Sequence, residues 1–389
     1  MPAPATEMRI ALFTHSVNPR GGVVHTVELG EALQRLGHRV TIFLPAAPGE
    51  RLYRPACCEI ELLPVPAAAH DARAMAATRI AALEQVLPSR RLRQRFDVLH
   101  AQDSLSGNAL ATLQERGLIG PWWRTVHHLD DFEDPQLRLW QQRAALSARH
   151  VLCVSDTWRD RLLQELGLSA WRVFNGVALE RFQCGTPRSQ ALGPHRFAPR
   201  GGRRDPVLLM VGGVEERKNT ARGVRALAVL RRSRPGARLL IAGGASLLPH
   251  VQAHRDHLDA LRDTGLRDGP GEAVERLGVI AESDMADLYR HADAVLMPSL
   301  EEGFGLVALE ALACATPVVV SHRPPFTEHL HGPGVHWCDP LDLHSIAHAA
   351  DQALAHPMSA PAALCADFSW ERSALQHELL YRTLAASLH

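Results

Sequence analysis

Lysine is almost missing from this chain of 389 residues: of its 42 Lys and Arg residues, only Lys218 is a lysine. An arginine-rich composition would leave such a remainder, and so would a position that needs an ammonium. A guanidinium is a planar fork and an ammonium a compact point charge on a flexible stem, so the two are not interchangeable where one oxygen must be met at one point. Net charge is missing too, because 42 acidic residues balance the 42 basic ones. That balance argues against a dedicated nucleic-acid binder held by whole-surface electrostatics. Cysteine is sparse and odd in number: Cys57, Cys58, Cys153, Cys184, Cys314, Cys338 and Cys365 show no C-x-x-C spacing. The pattern argues against a disulfide framework and a zinc site and suits free thiols in a reducing compartment. No apolar run is long enough to span a bilayer, and Met1 to Glu7 lack the basic start of a signal peptide. These absences predict a cytoplasmic protein. The 22 histidines have no metal-ligand spacing, and most are expected to face solvent.

What is present is a repeated grammar. Met8 to Phe13 reads as a buried strand, followed by a loop ending in Gly21 and Gly22, a helix over Val23 to Leu36 and a second strand over Arg39 to Leu44. Further strands are predicted at Phe96–His100, Trp123–His127, His150–Ser155 and Trp171–Phe174. The grammar restarts at Val207–Val211 and continues through Arg238–Ala242, Val274–Gly278, Ala294–Pro298 and Pro317–Ser321. Apolar strands joined by helical crossovers predict parallel sheets covered on both faces, with ligands at the carboxyl ends of the strands.

The chain exceeds what one hydrophobic core usually serves. The expected α/β organisation is therefore two Rossmann-like, doubly wound domains: residues 1–190, a linker over 191–206 rich in Gly, Pro, Arg and Ser, and residues 207–368. A last helix, residues 369–389, is expected to pack back on a domain through Trp370, Leu375, Leu379, Leu380, Leu384 and Leu388. Neither half holds a clean G-x-G-x-x-G with an acidic residue downstream, so no dinucleotide site is predicted.

The strongest local signal is Pro298 to Leu312. Gly303 and Gly305 free the backbone where a strand ends, and Leu306 onward are good helix formers. A helix start here presents free N–H groups and the positive end of the macrodipole, which suits a phosphate. Glu302 precedes the helix and Glu310 lies about one turn inside it. Carboxylates accept from sugar hydroxyls, so the pair suits a ligand with two hydroxyl-bearing regions separated by a diphosphate. Taken singly, Glu302 reads as a helix cap and Glu310 as half of a surface ion pair.

Glu302 and Glu310, within Glu-Gly-Phe-Gly-Leu-Val-Ala-Leu-Glu, resemble the E-x7-E signature of retaining glycosyltransferases of the GT-B fold, family 4, also called group 1. The resemblance extends to Gly21-Gly22, Gly37 to Val40, Thr125 to His127, Ser155, Asn175 to Val177, Glu216 to Asn219, Thr316 to Val319, Glu328 and Phe368 to Glu371. It implies two Rossmann-like domains facing across a cleft, with a nucleotide sugar held by the second and an acceptor by the first. Arg217 and Lys218 would neutralise the diphosphate, Glu310 would bind the ribose, and Glu302 with Gly303, Phe304, Gly305 and Leu306 would hold the hexose. Gly21 and Gly22 would approach the diphosphate, and His127 would contact the donor sugar. Gly213 stands where many members carry a phosphate-binding arginine, and Ala315 where glycine is usual.

The implied activity is a retaining hexosyl transfer from a nucleotide-diphosphate sugar, with no metal and no cofactor. Asp130-Asp131 sits in a polar loop and makes a poor metal site. The acceptor is open between sugar, lipid and small molecule, and nucleic acid is not expected. Arg90, Arg91, Arg93 and Arg95 form a basic cluster that fits a solvated helix end, with peripheral contact to anionic lipid as the alternative. Rival readings on the same architecture are a nucleotide-sugar epimerase, a sugar phosphorylase or a non-catalytic nucleotide-sugar binder.

Overall fold

The structure is a computed structural model that describes residues 7–66, 71–186, 205–244 and 250–385. It divides into two compact units: residues 1–176 with 369–389, and residues 177–368. The division falls after Gly176, earlier than the boundary at 190 read from composition, and the expected linker lies almost wholly outside the described residues.

Unit 1 is a parallel sheet of seven strands: β1 (Arg9–Phe13), β2 (Arg39–Ala46), β3 (Glu59–Pro64), β4 (Val98–Ala101), β5 (Trp123–Val126), β6 (His150–Cys153) and β7 (Trp171–Arg172). Their spatial order is β3-β2-β1-β4-β5-β6-β7, so the winding reverses between β1 and β4. The helices are α1 (Gly21–Arg35), α2 (Ala72–Val86), α3 (Leu92–Arg95), α4 (Ser104–Glu115), α5 (Pro135–Leu146) and α6 (Asp156–Leu166). Between the edge strands β3 and β7 the strands are largely buried on both faces, as a sheet covered by crossover helices requires; Ala11, Phe13, Phe43 and Leu99 pack with Leu110 and Leu113 of α4 in one core cluster.

Unit 2 repeats the design with six strands: β8 (Val207–Val211), β9 (Arg238–Ala242), β10 (Val274–Gly278), β11 (Ala294–Met297), β12 (Val318–Ser321) and β13 (Val335–Cys338). The order is β10-β9-β8-β11-β12-β13, all parallel, with the reversal between β8 and β11. Its helices are α7 (Thr220–Leu230), α8 (Val251–Thr264), α9 (Glu282–His291), α10 (Leu306–Ala313), α11 (Phe326–His329) and α12 (Leu343–Ala355). Leu208, Met210, Leu239 and Leu296 meet Val224, Leu227 and Ile346 in its main core. Gly223 is needed there, because a Cβ would stand 2.6 Å from the sulfur of Met210.

The last helix, α13 (Trp370–Ala385), belongs to unit 1 and packs against α1. Its buried face differs from the expected leucine stripe: Trp370, Ser373, Ala374, His377 and Tyr381 are buried, whereas Leu375 and Leu379 are exposed, and Leu388 lies outside the described residues. The reason is a polar cluster in unit 1 that recruits His377 and Tyr381. Most described histidines are at least partly exposed, as expected, but His25, His38, His100 and His377 of unit 1 and His257 and His329 of unit 2 are buried. In the basic cluster, Arg90 and Arg95 both pair with Glu61 of the edge strand β3, at 2.8 and 3.3 Å. Two of its four charges are thus tied to the sheet.

Candidate active site

In a doubly wound sheet the loops leaving the two strands at the winding reversal part in opposite directions and leave a crevice between them. In unit 2 these are the loops after β8 and β11, and they carry Arg217, Lys218 and Glu302. The ammonium of Lys218 donates to Glu302 Oε1 at 2.5 Å, Ser299 Oγ donates to the same oxygen at 3.0 Å, and Arg217 Nη1 stands 3.6 Å from Glu302 Oε2. The Glu302 side chain is 7% exposed and that of Lys218 12%, whereas Arg217 keeps 37%. Burial alone would raise the pKa of Glu302, but the charges of Lys218 and Arg217, helped by hydrogen bonds from Lys218 and Ser299, bring it below the ordinary value. The carboxylate is therefore charged at neutral pH. An ammonium has three donors, so Lys218 keeps N–H capacity beyond its bond to Glu302.

The backbone that places Lys218 is fixed from several sides. Gly212 and Gly213 have φ of +122° and +81°, and both N–H groups donate to Ala242 O at the end of β9. A Cβ on Gly212 would stand 2.9 Å from Lys218 Cε, so the lysine stem lies across the glycine. Asn219, at φ +60°, donates to Pro298 O and Pro340 O at 2.9 and 2.7 Å, and Leu300 N donates to Arg217 O at 2.8 Å. The two loops at the reversal are stitched together.

Gly305 begins α10 at φ +93°, where a Cβ would meet the Phe326 ring at 2.5 Å. With Gly303 and Phe304 it leads the chain from Glu302 into Leu306. Glu310 lies inside α10 and accepts from Tyr289 Oη of α9 at 2.6 Å. Burial first, then the adjacent Glu310 carboxylate, pushes the Tyr289 phenol well above its ordinary range, so it remains a donor. Glu302 and Glu310 thus belong to separate clusters.

In unit 1, Gly22 opens α1 beside His127: a Cβ on Gly22 would stand 3.5 Å from His127 Cδ2. Gly21, exposed, has open space around its Cβ position. The His127 Nε2 has no hydrogen-bond partner among the described residues, and the ring meets His25 edge-on at 4.6 Å between centroids. Burial, and then the charge of His25 and Arg124, hold His127 well below the usual imidazole range, so it is neutral.

The helices α2, α4, α5, α6 and α12 are capped by the side chains of Asp71, Asp103, Asp134, Ser155 and Asp342, whereas α1, α7 and α10, like α3, α8, α9 and α11, start without a side-chain cap. Their first N–H groups are not occupied by a capping oxygen, which leaves donors at the helix starts for an anion.

Two family models divide the chain between them: Glycosyltransferase Family 4 matches residues 19–181 and Glycosyl transferases group 1 matches residues 195–368. The chain belongs to the group 1 glycosyltransferases. A D-inositol 3-phosphate glycosyltransferase of Kineococcus radiotolerans is 32% identical over 256 residues, 60% of this chain and 55% of the relative. A second protein of that description, from Pseudarthrobacter chlorophenolicus, is 29% identical over 346 residues, 80% of this chain and 79% of the relative. The chain spans about half the length of the former in that match. In three dimensions this glycosyltransferase resembles sucrose-phosphate synthase from Thermosynechococcus elongatus, at a TM-score of 0.75 and 22% identity over 98% of this chain and 100% of that one. HepE of Anabaena, solved with UDP and glucose, gives 0.73 and 17% over 96% and 99%. These are likenesses of fold, and the fold is GT-B.

The sequence reading of this glycosyltransferase missed Ser299, Tyr289 and the stitching by Asn219. Asn219 carried a signal, as a non-glycine at the end of a glycine loop and the start of a helix. Ala315 adopts φ +62°, the left-handed conformation that glycine takes without a Cβ penalty. The usual glycine at that place is thereby explained.

Proposed function

We propose that this glycosyltransferase moves a hexosyl group from a nucleotide-diphosphate sugar to a hydroxyl acceptor, retaining the configuration at C1 and using no metal. The observation that carries this reading is the convergence of Lys218 and Arg217 on buried Glu302 at the winding reversal of unit 2. Negative charge grows on the leaving diphosphate as its bond to C1 breaks, and preorganised cations stabilise that charge without reorganising. Glu302 holds Lys218 in place, the remaining ammonium hydrogens meet a phosphate oxygen, and half-buried Arg217 meets a second. The start of α10 adds its N–H groups.

Glu310, oriented by Tyr289, accepts from the ribose hydroxyls, and Glu302 with Gly303 to Leu306 accepts the hexose hydroxyls. In the retaining step the acceptor oxygen bonds to C1 on the face the diphosphate leaves, and its proton passes to the departing phosphate oxygen. Neutral His127, beside Gly21 and Gly22, serves as a hydrogen-bonding group to the sugar rather than as a base. HepE has been solved in complex with UDP-glucose, which makes UDP-glucose the first donor to try in a screen of UDP, GDP, ADP and dTDP sugars. The anomeric configuration of the product, read by NMR from reactions with and without EDTA, tests the proposal. An inverted product or a loss of activity that only metal restores would overturn it, and product formed without acceptor would return the epimerase reading.

A further inference from the structure

The loop after β8 in unit 2 carries no side chain at Gly212 and Gly213, so its first cation is Arg217, followed by Lys218. The two are held differently. Lys218 Nζ meets Glu302 Oε1 at 2.5 Å, whereas Arg217 lies nearer to Glu215 than to Glu302: Nε stands 3.0 Å from Glu215 Oε2, and Nη1 stands 3.6 Å from Glu302 Oε2. The Glu215 side chain is only 11% exposed, and its other oxygen faces Nε2 of His250, the residue before α8, at 3.9 Å. The backbone beneath the pair is fixed as well. Thr220 Oγ1 donates to Gly213 O at 3.0 Å, Leu300 N donates to Arg217 O at 2.8 Å, and Asn219 N closes the turn on Glu216 O at 2.9 Å.

Contacts at two different nitrogens fix the plane of a guanidinium, which a single contact does not. A guanidinium has five N–H donors, more than these two contacts engage. An arginine that a ligand must order loses rotamer freedom on binding, and one ordered beforehand does not. Stability is a poor reason for the Glu215–Arg217 pair, because an ion pair whose arginine keeps 37% exposure contributes little. Attraction is no better a reason. With Glu302, Glu215 cancels the formal charge of Arg217 and Lys218, and a carboxylate beside a diphosphate site opposes the ligand by its charge. A carboxylate that adds little stability and repels the ligand is useful there through the direction it gives to Arg217.

We propose that Glu215 is a positioning residue for the donor diphosphate: by holding Nε of Arg217 it sets the guanidinium in the orientation that meets a phosphate oxygen. The proposal rests on the donor reading above, which assigns Arg217 to the diphosphate.

Calorimetric titration of the full chain with UDP, GDP and ADP selects the nucleoside diphosphate that the wild type binds most tightly, and the variants are then titrated with that one. Glu215→Ala should bind it about fivefold more weakly, the loss expected when one side chain must be ordered by the ligand, with an unaltered melting temperature. Glu215→Gln keeps an acceptor for Nε and should recover most of that loss. Arg217→Ala should bind about tenfold more weakly or worse. Adding Glu215→Ala to it should bring no further loss, because the two residues act through one contact. A merely structural Glu215 would lower the melting temperature and add its loss to that of Arg217→Ala, and this result overturns the proposal. Binding by Glu215→Ala that equals or exceeds the wild type overturns it too, since the carboxylate would then only repel the ligand. A loss in Arg217→Ala with none in Glu215→Ala sinks this proposal and leaves the donor reading standing; wild-type binding by Arg217→Ala, or a wild type that binds none of the three diphosphates, sinks both.

Discussion

The stem of Lys218 lies across Gly212, so closely that a Cβ at 212 would stand 2.9 Å from Lys218 Cε. The absence of one side chain therefore sets the path of the chain's one lysine toward Glu302. Gly212→Ala is strained twice, by the contact and by a φ of +122° that side chains rarely adopt. The expected result is a fall in kcat of at least about tenfold, equivalent to about 1.4 kcal/mol, with nucleotide affinity reduced less. Steady-state kinetics beside calorimetric UDP binding checks this. An unchanged kcat would mean that the stem moves aside without consequence.

Lys218 and Glu302 act as a pair, and removing either member strands the other. By analogy with the loss of one preorganised donor, Lys218→Ala should lower kcat by about 10²–10³-fold, roughly 2.7–4 kcal/mol. Lys218→Arg should recover little, since a fork does not fit a path shaped by Gly212. Glu302→Gln leaves a buried ammonium without its carboxylate and should cost stability as well as rate. Thermal melting and turnover of the single and double variants read the coupling. Additive losses would show that the pair does not work as a unit.

How much of this was legible in the sequence follows from what each residue depends on. Lys218, Glu302 and Gly303 stood out because strand ends, glycine loops and helix starts are local patterns. Tyr289 and Ser299 did not, because their roles arise from proximity across the fold, and a tyrosine on a helix otherwise reads as core. The strands β3 and β13 were missed: β3 is an edge strand of mixed exposure, and Val335-His-Trp-Cys338 has no apolar run. The leucines of α13 misled because periodicity counts apolar residues, whereas unit 1 buries His377 and Tyr381 against its own histidines. That Arg79 and Arg124 form no ion pair among the described residues was invisible for the converse reason, since a sequence does not show which arginines lack a carboxylate.

Tyr289 donates to Glu310 at 2.6 Å from a buried position, which fixes the carboxylate assigned to the ribose. Tyr289→Phe keeps the ring and removes the hydroxyl. A hydrogen bond to a charged group contributes about 1.5–3 kcal/mol, so UDP affinity should fall by about tenfold or more, while kcat at saturation changes less. Glu310→Gln should weaken the same affinity. Calorimetry with UDP on both variants decides the matter, and an undiminished affinity in both would remove Glu310 from the ribose.

Three buried histidines and the half-buried His127 join the elements of unit 1 beneath α13. His100 of β4 bonds to Tyr381 Oη at 2.6 Å and to Thr125 Oγ1 at 2.8 Å, His25 of α1 bonds to Asn175 Oδ1 at 2.9 Å, and His377 donates from Nδ1 to Ser373 O at 2.8 Å. His127 completes the group against His25. Burial, reinforced by neighbouring imidazoles, lowers His25 to about 3, and burial lowers His377 to about 4; His100 and His127 shift in the same direction. Each folded pKa lies below the unfolded value of about 6.5, so the unfolded chain binds more protons than the folded one between these values. Stability is then fully present above about pH 6.5 and is lost as pH falls toward 4 and 3. One such histidine accounts for about 1 kcal/mol between pH 6.5 and 5.5. The urea midpoint of the wild type should drop clearly from pH 7.5 to 5.5, and His377→Gln, which keeps an N–H donor without the imidazole base, should drop less. Equal drops in the two proteins would show that His377 is protonated in place and that α13 is not held by its neutrality.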